Sequence, residues 1–189
     1  LLSILAGGGF LSLRQTEHER HLLALEEVQR GERAFQDGRY DLAVTLAKRA
    51  LEIESDLPEA HFLSGRAFLY RYTTSRPAPI PWRLLGKVTF LPPREETKEE
   101  RDLLQIARSA FSKIDPEKGD GTEKWRLRWA RGMLAFIDGE YPEAIRNLGE
   151  AREEALDLDV EYLLALSHYY LRNFPEASNV LEAFPPVHP

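Results

Sequence analysis

RGERAFQDGRYDLA, residues 30–43, occurs a second time in this chain, with few changes, as RGMLAFIDGEYPEA at 131–144. The second copy starts 101 residues after the first, close to three times 34, and a fixed period of about 34 residues is typical of helical repeat proteins. A shorter third copy, LRNFPEA (171–177), carries Asn173 at the turn, then Phe174 and Ala177. The identical pairs of the first two copies are Arg30/Arg131, Gly31/Gly132, Ala34/Ala135, Phe35/Phe136, Asp37/Asp138, Gly38/Gly139, Tyr40/Tyr141 and Ala43/Ala144.

The first copy predicts a pair of antiparallel helices. Residues 17–36 form the first helix, which ends at Gly38 because glycine readily adopts the left-handed backbone of a helix C-terminus. Tyr40 packs into the turn, and residues 41–54 form the second helix. Small side chains at helical spacing on this second helix allow the two helices to approach closely. These small residues are Ala43, Ala47 and Ala50.

The recurring unit resembles the tetratricopeptide repeat (TPR) over about 24–72 and 98–184. The TPR pattern has a small residue in the middle of the first helix, a glycine at the turn, an aromatic residue two positions later, alanines on the second helix and a proline near the end. One departure is the arginine at 30 and 131, where the family usually has an apolar residue. The matching residues are Gly31, Gly38, Tyr40, Ala43, Ala50 and Pro58, then Gly132, Gly139, Tyr141, Ala144 and Ala151, and less completely Ala165, Asn173, Phe174 and Ala177.

The resemblance implies an all-α fold, a right-handed α-solenoid of about four TPR-like hairpins. The expected TPR-like domain covers 17–184, and a short tail follows at 185–189. An insertion at 73–96 interrupts the second repeat between its two helices. Helical pattern resumes at 97–114, where Thr97 and Glu100 have the spacing of a capping box.

The insertion at 73–96 is expected to be an ordered arm. Residues 73–94 hold five prolines and four basic residues with no acidic one, in a chain of net charge −6. The prolines keep the segment extended, while its apolar content is too high for a typical disordered loop. It could pack on its own groove, a partner, another copy or lipid, and a partner is the preferred interpretation. The arm residues are Trp82, Arg83, Leu85, Lys87, Phe90 and Leu91.

The first 16 residues form an apolar N-terminal segment. Leu1–Leu13 contains only two serines as polar residues, and as a helix it would rise about 20 Å, less than the ~30 Å of a hydrocarbon core. Two interpretations are open: the remainder of a membrane anchor, or a capping element that packs on the domain. The anchor is preferred, because three consecutive glycines begin a soluble helix poorly. It predicts a membrane-associated protein in the bacterial periplasm, with membrane contact through Leu1–Leu13.

The sequence offers no catalytic or metal-binding motif, so we expect neither an enzyme nor a cofactor. It has no cysteine, which excludes disulfides, thiolate metal sites and a cysteine nucleophile in this chain. His18 and His21 share a helix face with Glu17, but a solvated face explains them better than a metal site. The acidic balance argues against nucleic acid as a partner.

The preferred function is a non-catalytic scaffold or assembly subunit that binds another protein or complex. In the TPR family the first helices line a concave groove, so the resemblance implies a groove rich in the aromatic and arginine side chains that dominate interfaces. Packing between repeats is the alternative for each residue. A self-associating subunit of a filament or ring is the alternative function. The groove residues by matched position are Phe35, Phe62, Arg66, Tyr70, Trp129, Met133, Phe136, Tyr162, Tyr169 and Tyr170.

Overall fold

A computed structural model of the chain describes residues 2–75, 96–115, 122–154 and 157–182. Side chains are described from Thr16 onward, except those of Ser75 and Leu158. Every regular element in these ranges is an α-helix, which confirms the expected all-α class. The chain divides into two compact units, Leu1–Ile114 and Asp115–Pro189.

The first unit contains four helices in which each packs against the next along the chain, and α1 also packs on α3. As predicted, Ala43, Ala47 and Ala50 on α2 are completely buried. A Cβ added at Gly31 of α1 would lie 3.3 Å from the Leu46 Cβ, so this small residue permits a close approach of the two helices. The four helices are α1 (Leu2–Gln36), α2 (Tyr40–Ile53), α3 (Pro58–Ser75) and α4 (Lys98–Phe111).

The second unit repeats this arrangement. Each helix packs against the next, and its first and third helices are also in contact. Ala144, Leu148 and Ala151 are completely buried, and Leu148 lies against Gly132 of the preceding helix. The helices are α5 (Glu123–Asp138), α6 (Tyr141–Glu154), α7 (Leu158–Tyr170) and α8 (Phe174–Glu182).

Three turns share one hydrogen-bond pattern. After α1, Gly38 N–H donates to Phe35 O over 2.9 Å, and Arg39 N–H donates to Ala34 O over 2.8 Å. These are the two bonds of a Schellman motif, which needs a left-handed residue after the helix. The turns after α5 and α7 repeat both bonds. The left-handed residues are Gly38 (φ 74°), Gly139 (φ 78°) and Arg172 (φ 59°).

The third turn corrects the sequence alignment. Asn173 was expected at the glycine position, but Arg172 is the residue with left-handed backbone. The N–H of Arg172 donates to Tyr169 O and that of Asn173 to His168 O, so the turn lies one position earlier than expected. Phe174 therefore lies two residues after the turn position, as Tyr40 follows Gly38.

The N-terminal helix and the first edge of the insertion differ from the expected positions, whereas the second edge agrees with them. Helix α1 runs without a break from Leu2 to Gln36, so the expected boundary after residue 16 falls inside it. Among the described helices, none combines the length and the apolar character needed to cross a membrane. Helix α3 continues to Ser75, and Thr97 caps α4 with the predicted Glu100 capping box.

Candidate interaction surfaces

A cluster of three aromatic rings joins α1, α2 and α3 in the first unit. Phe35 at the end of α1 lies 5.3 Å from Tyr40 and 4.9 Å from Tyr70, measured between ring centroids. Tyr40 and Tyr70 are 5.7 Å apart, so each ring contacts the other two. Such tilted and edge-on pairs contribute about 0.5–1.5 kcal/mol each beyond their buried area. The cluster thus fixes the start of α2 against α3.

Arg66 extends this cluster along the faces of α1 and α3. Its guanidinium carbon lies 4.1 Å from the centroid of Phe35 and 5.3 Å from that of Phe62, and its Nη2 donates to Glu32. The Arg66 side chain keeps 15% of its surface exposed, and that of Glu32 keeps 33%. A planar cation held between two rings and a carboxylate is a rigid and partly accessible feature.

The second unit contains the same ring cluster at the same positions of its repeat. Phe136 lies 5.8 Å from Tyr141 and 6.0 Å from Tyr170, while Tyr141 stacks on Tyr170 at 4.9 Å with 12° between the ring planes. Burial, together with the charges of neighbouring tyrosines, raises the pKa of Tyr170. The cluster joins α5, α6 and α7 as its counterpart joins α1, α2 and α3.

Further aromatic side chains continue from this second cluster to the start of α8. Tyr169 contacts Tyr170 at 5.9 Å and Phe174 at 5.6 Å, and both contacts are edge-on. Tyr169 is 41% exposed and Phe174 is 54% exposed. On α7, burial, with a smaller effect of Tyr170, raises the pKa of Tyr162 to about 12.

The structure divides the ten predicted groove residues into two groups. Buried side chains are Phe62, Tyr70, Trp129 and Met133, for which packing is the better description. Partly or fully exposed side chains are Phe35, Arg66, Phe136, Tyr162, Tyr169 and Tyr170. The predicted arm residues Trp82, Arg83, Leu85, Lys87, Phe90 and Leu91 lie outside the described residues.

Sequence matching placed Tyr40 and Tyr141 in their turns but did not include them among the site residues. Each contacts both other rings of its cluster: Tyr40 contacts Phe35 and Tyr70, and Tyr141 contacts Phe136 and Tyr170. The sequence signal for them was the spacing of two residues after the turn glycine. That spacing does not indicate which aromatic residue of the next helix will contact the tyrosine. The sequence analysis therefore did not predict the three-ring clusters.

An open cleft of about 770 Å³ lies beside the first cluster, between the start of α2, the end of α3 and the start of α4. Arg71 Nη1 lies 3.1 Å from Asp41 Oδ1 at its edge. The remaining lining combines charged and hydroxyl-bearing side chains with apolar surface, and no group of three or more histidine or acidic side chains among the described residues is arranged to hold a metal ion. The cleft therefore presents charged and hydroxyl groups on an open surface.

Comparisons with known proteins found no match to this chain, whether among protein-family models, curated proteins or solved structures. The surfaces described above are therefore the basis for a functional proposal.

Proposed function

We propose that the chain is a non-catalytic TPR-like scaffold that binds another protein. The observation that carries this proposal is the repetition of one hairpin turn: three turns have the same two hydrogen bonds, and two of them carry the same three-ring cluster. Recurrence of a complete local geometry at matched positions supports a repeat architecture more strongly than the sequence motif does alone. Three hairpins, α1–α2, α5–α6 and α7–α8, have this turn. The proposal adds α3–α4 as a fourth hairpin, because these two helices also pack against each other.

The proposed arrangement of the hairpins is a right-handed α-solenoid. It is supported by the packing inside each unit, where a helix contacts its sequence neighbours and the first helices of successive hairpins also meet. Such nearest-neighbour packing is characteristic of stacked repeats. It leaves the first helices side by side, and this is the face on which Arg66 and Glu32 join α3 to α1.

The proposed binding surface is the face of the first helices that carries Arg66, Phe35 and Glu32. Arginine and aromatic side chains dominate protein interfaces because they combine a large contact area with directional polar bonds. Here the ring contacts hold Arg66 in place before a partner arrives, so little side-chain entropy remains to be lost on binding. The remaining exposed part of its guanidinium can donate to a carboxylate or backbone carbonyl of the partner.

Three further predictions accompany the scaffold proposal. They are membrane attachment through Leu1–Leu13, a periplasmic location, and a docking role for the arm at 73–96. The side chains on which they depend lie outside the described residues. The scaffold proposal does not require them, because its binding surface lies on α1 and α3.

Three substitutions at two arginines of α3 test the scaffold proposal. The tagged chain is purified from the cells that produce it, and co-purifying proteins are quantified for wild type, Arg66→Ala, Arg66→Lys and Arg71→Ala. We expect Arg66→Ala to reduce recovery of the specific partner roughly tenfold, as for an interface hot spot. Arg71 is a matched control, because it also pairs with a carboxylate, Asp41, and lies 5.7 Å from a ring centroid, that of Phe68.

Folding of each variant is checked by helical circular dichroism and urea unfolding. Arg66→Lys keeps the charge that faces Glu32 but loses the planar stacking on the rings. If this variant folds normally and still recovers less partner, the loss lies in recognition and not in folding. Equal partner recovery by wild type and a folded Arg66→Ala variant would refute the proposed surface. Equal losses with Arg66→Ala and Arg71→Ala would mean that the effect comes from charge alone.

A further inference from the structure

An open cleft of about 510 Å³ lies in the second unit, between α6, α7 and α8. Its volume falls within the range of about 300–1,000 Å³ that is typical of sites for small ligands. Aliphatic side chains form part of its lining, and charged or titratable side chains form the rest. The described residues that line it are Ile145, Gly149, Arg152, Glu153, Leu164, His168 and Val180.

A buried carboxylate holds Arg152, one of the cations of this cleft. Arg152 Nε lies 2.6 Å from Glu161 Oε1, and the Glu161 side chain keeps 7% of its surface exposed, against 41% for that of Arg152. The guanidinium is therefore fixed from the protein interior through Nε. Its two Nη groups remain as donors that match the geometry of a carboxylate.

His168 contributes a second donor to the cleft, from α7. Asn173 Nδ2 lies 3.4 Å from His168 Nδ1. Because an amide nitrogen donates, Nδ1 accepts in this contact, and the proton of the neutral ring then lies on Nε2. The cleft thus combines a guanidinium from α6 with an imidazole N–H from α7.

The corresponding positions of the first unit are apolar. The repeat aligns α6 with α2 at a separation of 101 residues, and the two ring clusters align α7 with α3 at a separation of 100. Leu51 therefore corresponds to Arg152, and Phe68, which is 7% exposed, corresponds to His168. A buried ion pair is often no more stable than apolar side chains of similar size, so stability alone gives little reason for this difference.

Gly149 keeps space open in the cleft, at a position where the first unit has Lys48. A Cβ at Gly149 would meet no atom within 4 Å, so helix packing does not require glycine there. Glycine is also among the least favourable residues inside a helix. The second unit therefore has a glycine that weakens α6 and leaves the cleft unfilled.

We propose that this cleft binds a small organic carboxylate with an apolar body. The carboxylate pairs with the Arg152 guanidinium and accepts a hydrogen bond from His168 Nε2–H. The apolar body packs on the aliphatic side chains of the lining. Glu153, which is exposed and also lines the cleft, disfavours a ligand with a second acidic group.

Octanoate is the probe, and its binding to the full chain is followed by two-dimensional ¹H–¹⁵N NMR. We expect the largest shifts in the amide signals of Gly149 and of the other residues that line the cleft. Octanamide has the same hydrocarbon chain without the charge, and acetate has the charge with almost no apolar body. Each should bind roughly tenfold more weakly than octanoate.

Two substitutions that fill the cleft test its location. Gly149→Leu places a side chain in open space, and His168→Phe restores the residue type of the first unit, so both variants should fold, as checked by circular dichroism. Each should weaken octanoate binding roughly tenfold. Arg146→Gln is the matched control, because Arg146 is also an α6 arginine paired with a glutamate, Glu143, but does not line the cleft. It should leave binding unchanged.

Equal affinity for octanoate and octanamide would overturn the assignment to a carboxylate. Octanoate binding that neither cleft-filling variant weakens, or no binding at about 10 mM, would overturn the site. A tripeptide with a free carboxyl-terminal leucine that binds more tightly than octanoate would assign the cleft to a protein terminus and overturn the assignment to a small molecule. None of these results depends on the Arg66 surface of the proposed function.

Discussion

Arg172 has the same left-handed backbone and the same two hydrogen bonds as Gly139, with φ of 59° against 78°. Glycine has no Cβ and adopts this conformation without strain, whereas an arginine Cβ approaches the following carbonyl oxygen. The repeat thus retains its turn geometry where its preferred residue is missing. The backbone strain is therefore present at the turn between α7 and α8, whereas the turns after α1 and α5 have glycine.

Arg172→Gly should stabilise the protein by about 1 kcal/mol, because it removes the strain of a left-handed non-glycine residue. Part of the gain is offset by the greater freedom of glycine in the unfolded chain. The measurement is the urea midpoint, followed by helical circular dichroism. Gly139→Ala should have the opposite sign, and since a Cβ there meets no atom within 4 Å, its cost is conformational alone. An unchanged or lower midpoint for Arg172→Gly would contradict the strain argument.

Gly132→Ala should destabilise the second unit by about 1–3 kcal/mol, the usual range for an overpacked core. An added Cβ would lie 2.5 Å from Leu148 Cγ and 3.1 Å from the Leu148 backbone nitrogen, so α5 and α6 would have to separate. The midpoint of urea unfolding measures the loss.

Gly149→Ala is the matched control for this substitution. Gly149 lies within α6, and a Cβ there would meet no atom within 4 Å. Because alanine favours helix over glycine by about 1 kcal/mol, Gly149→Ala should be neutral or stabilising. Equal destabilisation by both substitutions would show that helix separation is not the cause.

The fold could be predicted from sequence at positions where the residue type itself favours a particular backbone conformation. Gly38 and Gly139 marked two turns correctly, and Thr97 with Glu100 marked the start of α4. Arg172 could not be recognised, because nothing in its side chain favours a left-handed backbone. The alignment of the third copy placed Asn173 there instead, and asparagine is a residue type that tolerates that conformation better than most.

The candidate site was harder to predict than the fold. Helical periodicity identifies an apolar stripe, but a first helix in a repeat contacts neighbours on several sides. Trp129 and Arg66 therefore look equivalent in the sequence, although Trp129 is 1% exposed and Arg66 remains partly accessible. The structure distinguishes the two residues, because it shows that Arg66 contacts Phe35 and Glu32 at the surface.

The first unit should lose stability as the pH falls below 6.5 because of His61. Burial lowers the pKa of His61 from 6.5, and its Nε2 lies 3.1 Å from Ser55 O. Below pH 6.5 the unfolded chain binds a proton that the folded chain does not, so folding is weakened. Urea midpoints at about pH 7.5 and about pH 5.5 measure the loss.

His61→Gln tests this assignment, because glutamine can still donate to Ser55 O but does not titrate. The variant should show a smaller difference between the two pH values than the wild type. The same acid-induced loss in both proteins would mean that His61 is not responsible and that other groups set the pH dependence.

The protein should lose folding stability between pH 10 and about 12 because of Tyr162. Its pKa is raised from 10 to about 12, first by burial and then by the neighbouring Tyr170. Since the folded state holds the phenol proton more tightly than the unfolded state, this stabilisation is complete below pH 10 and is lost as the pH rises through about 12.

Spectrophotometric titration of phenolate in wild type and Tyr162→Phe isolates this group. The difference between the two curves should rise near pH 12, and Tyr162→Phe should retain more of its helical signal above pH 10. A difference curve that rises near pH 10 would contradict the buried position of Tyr162.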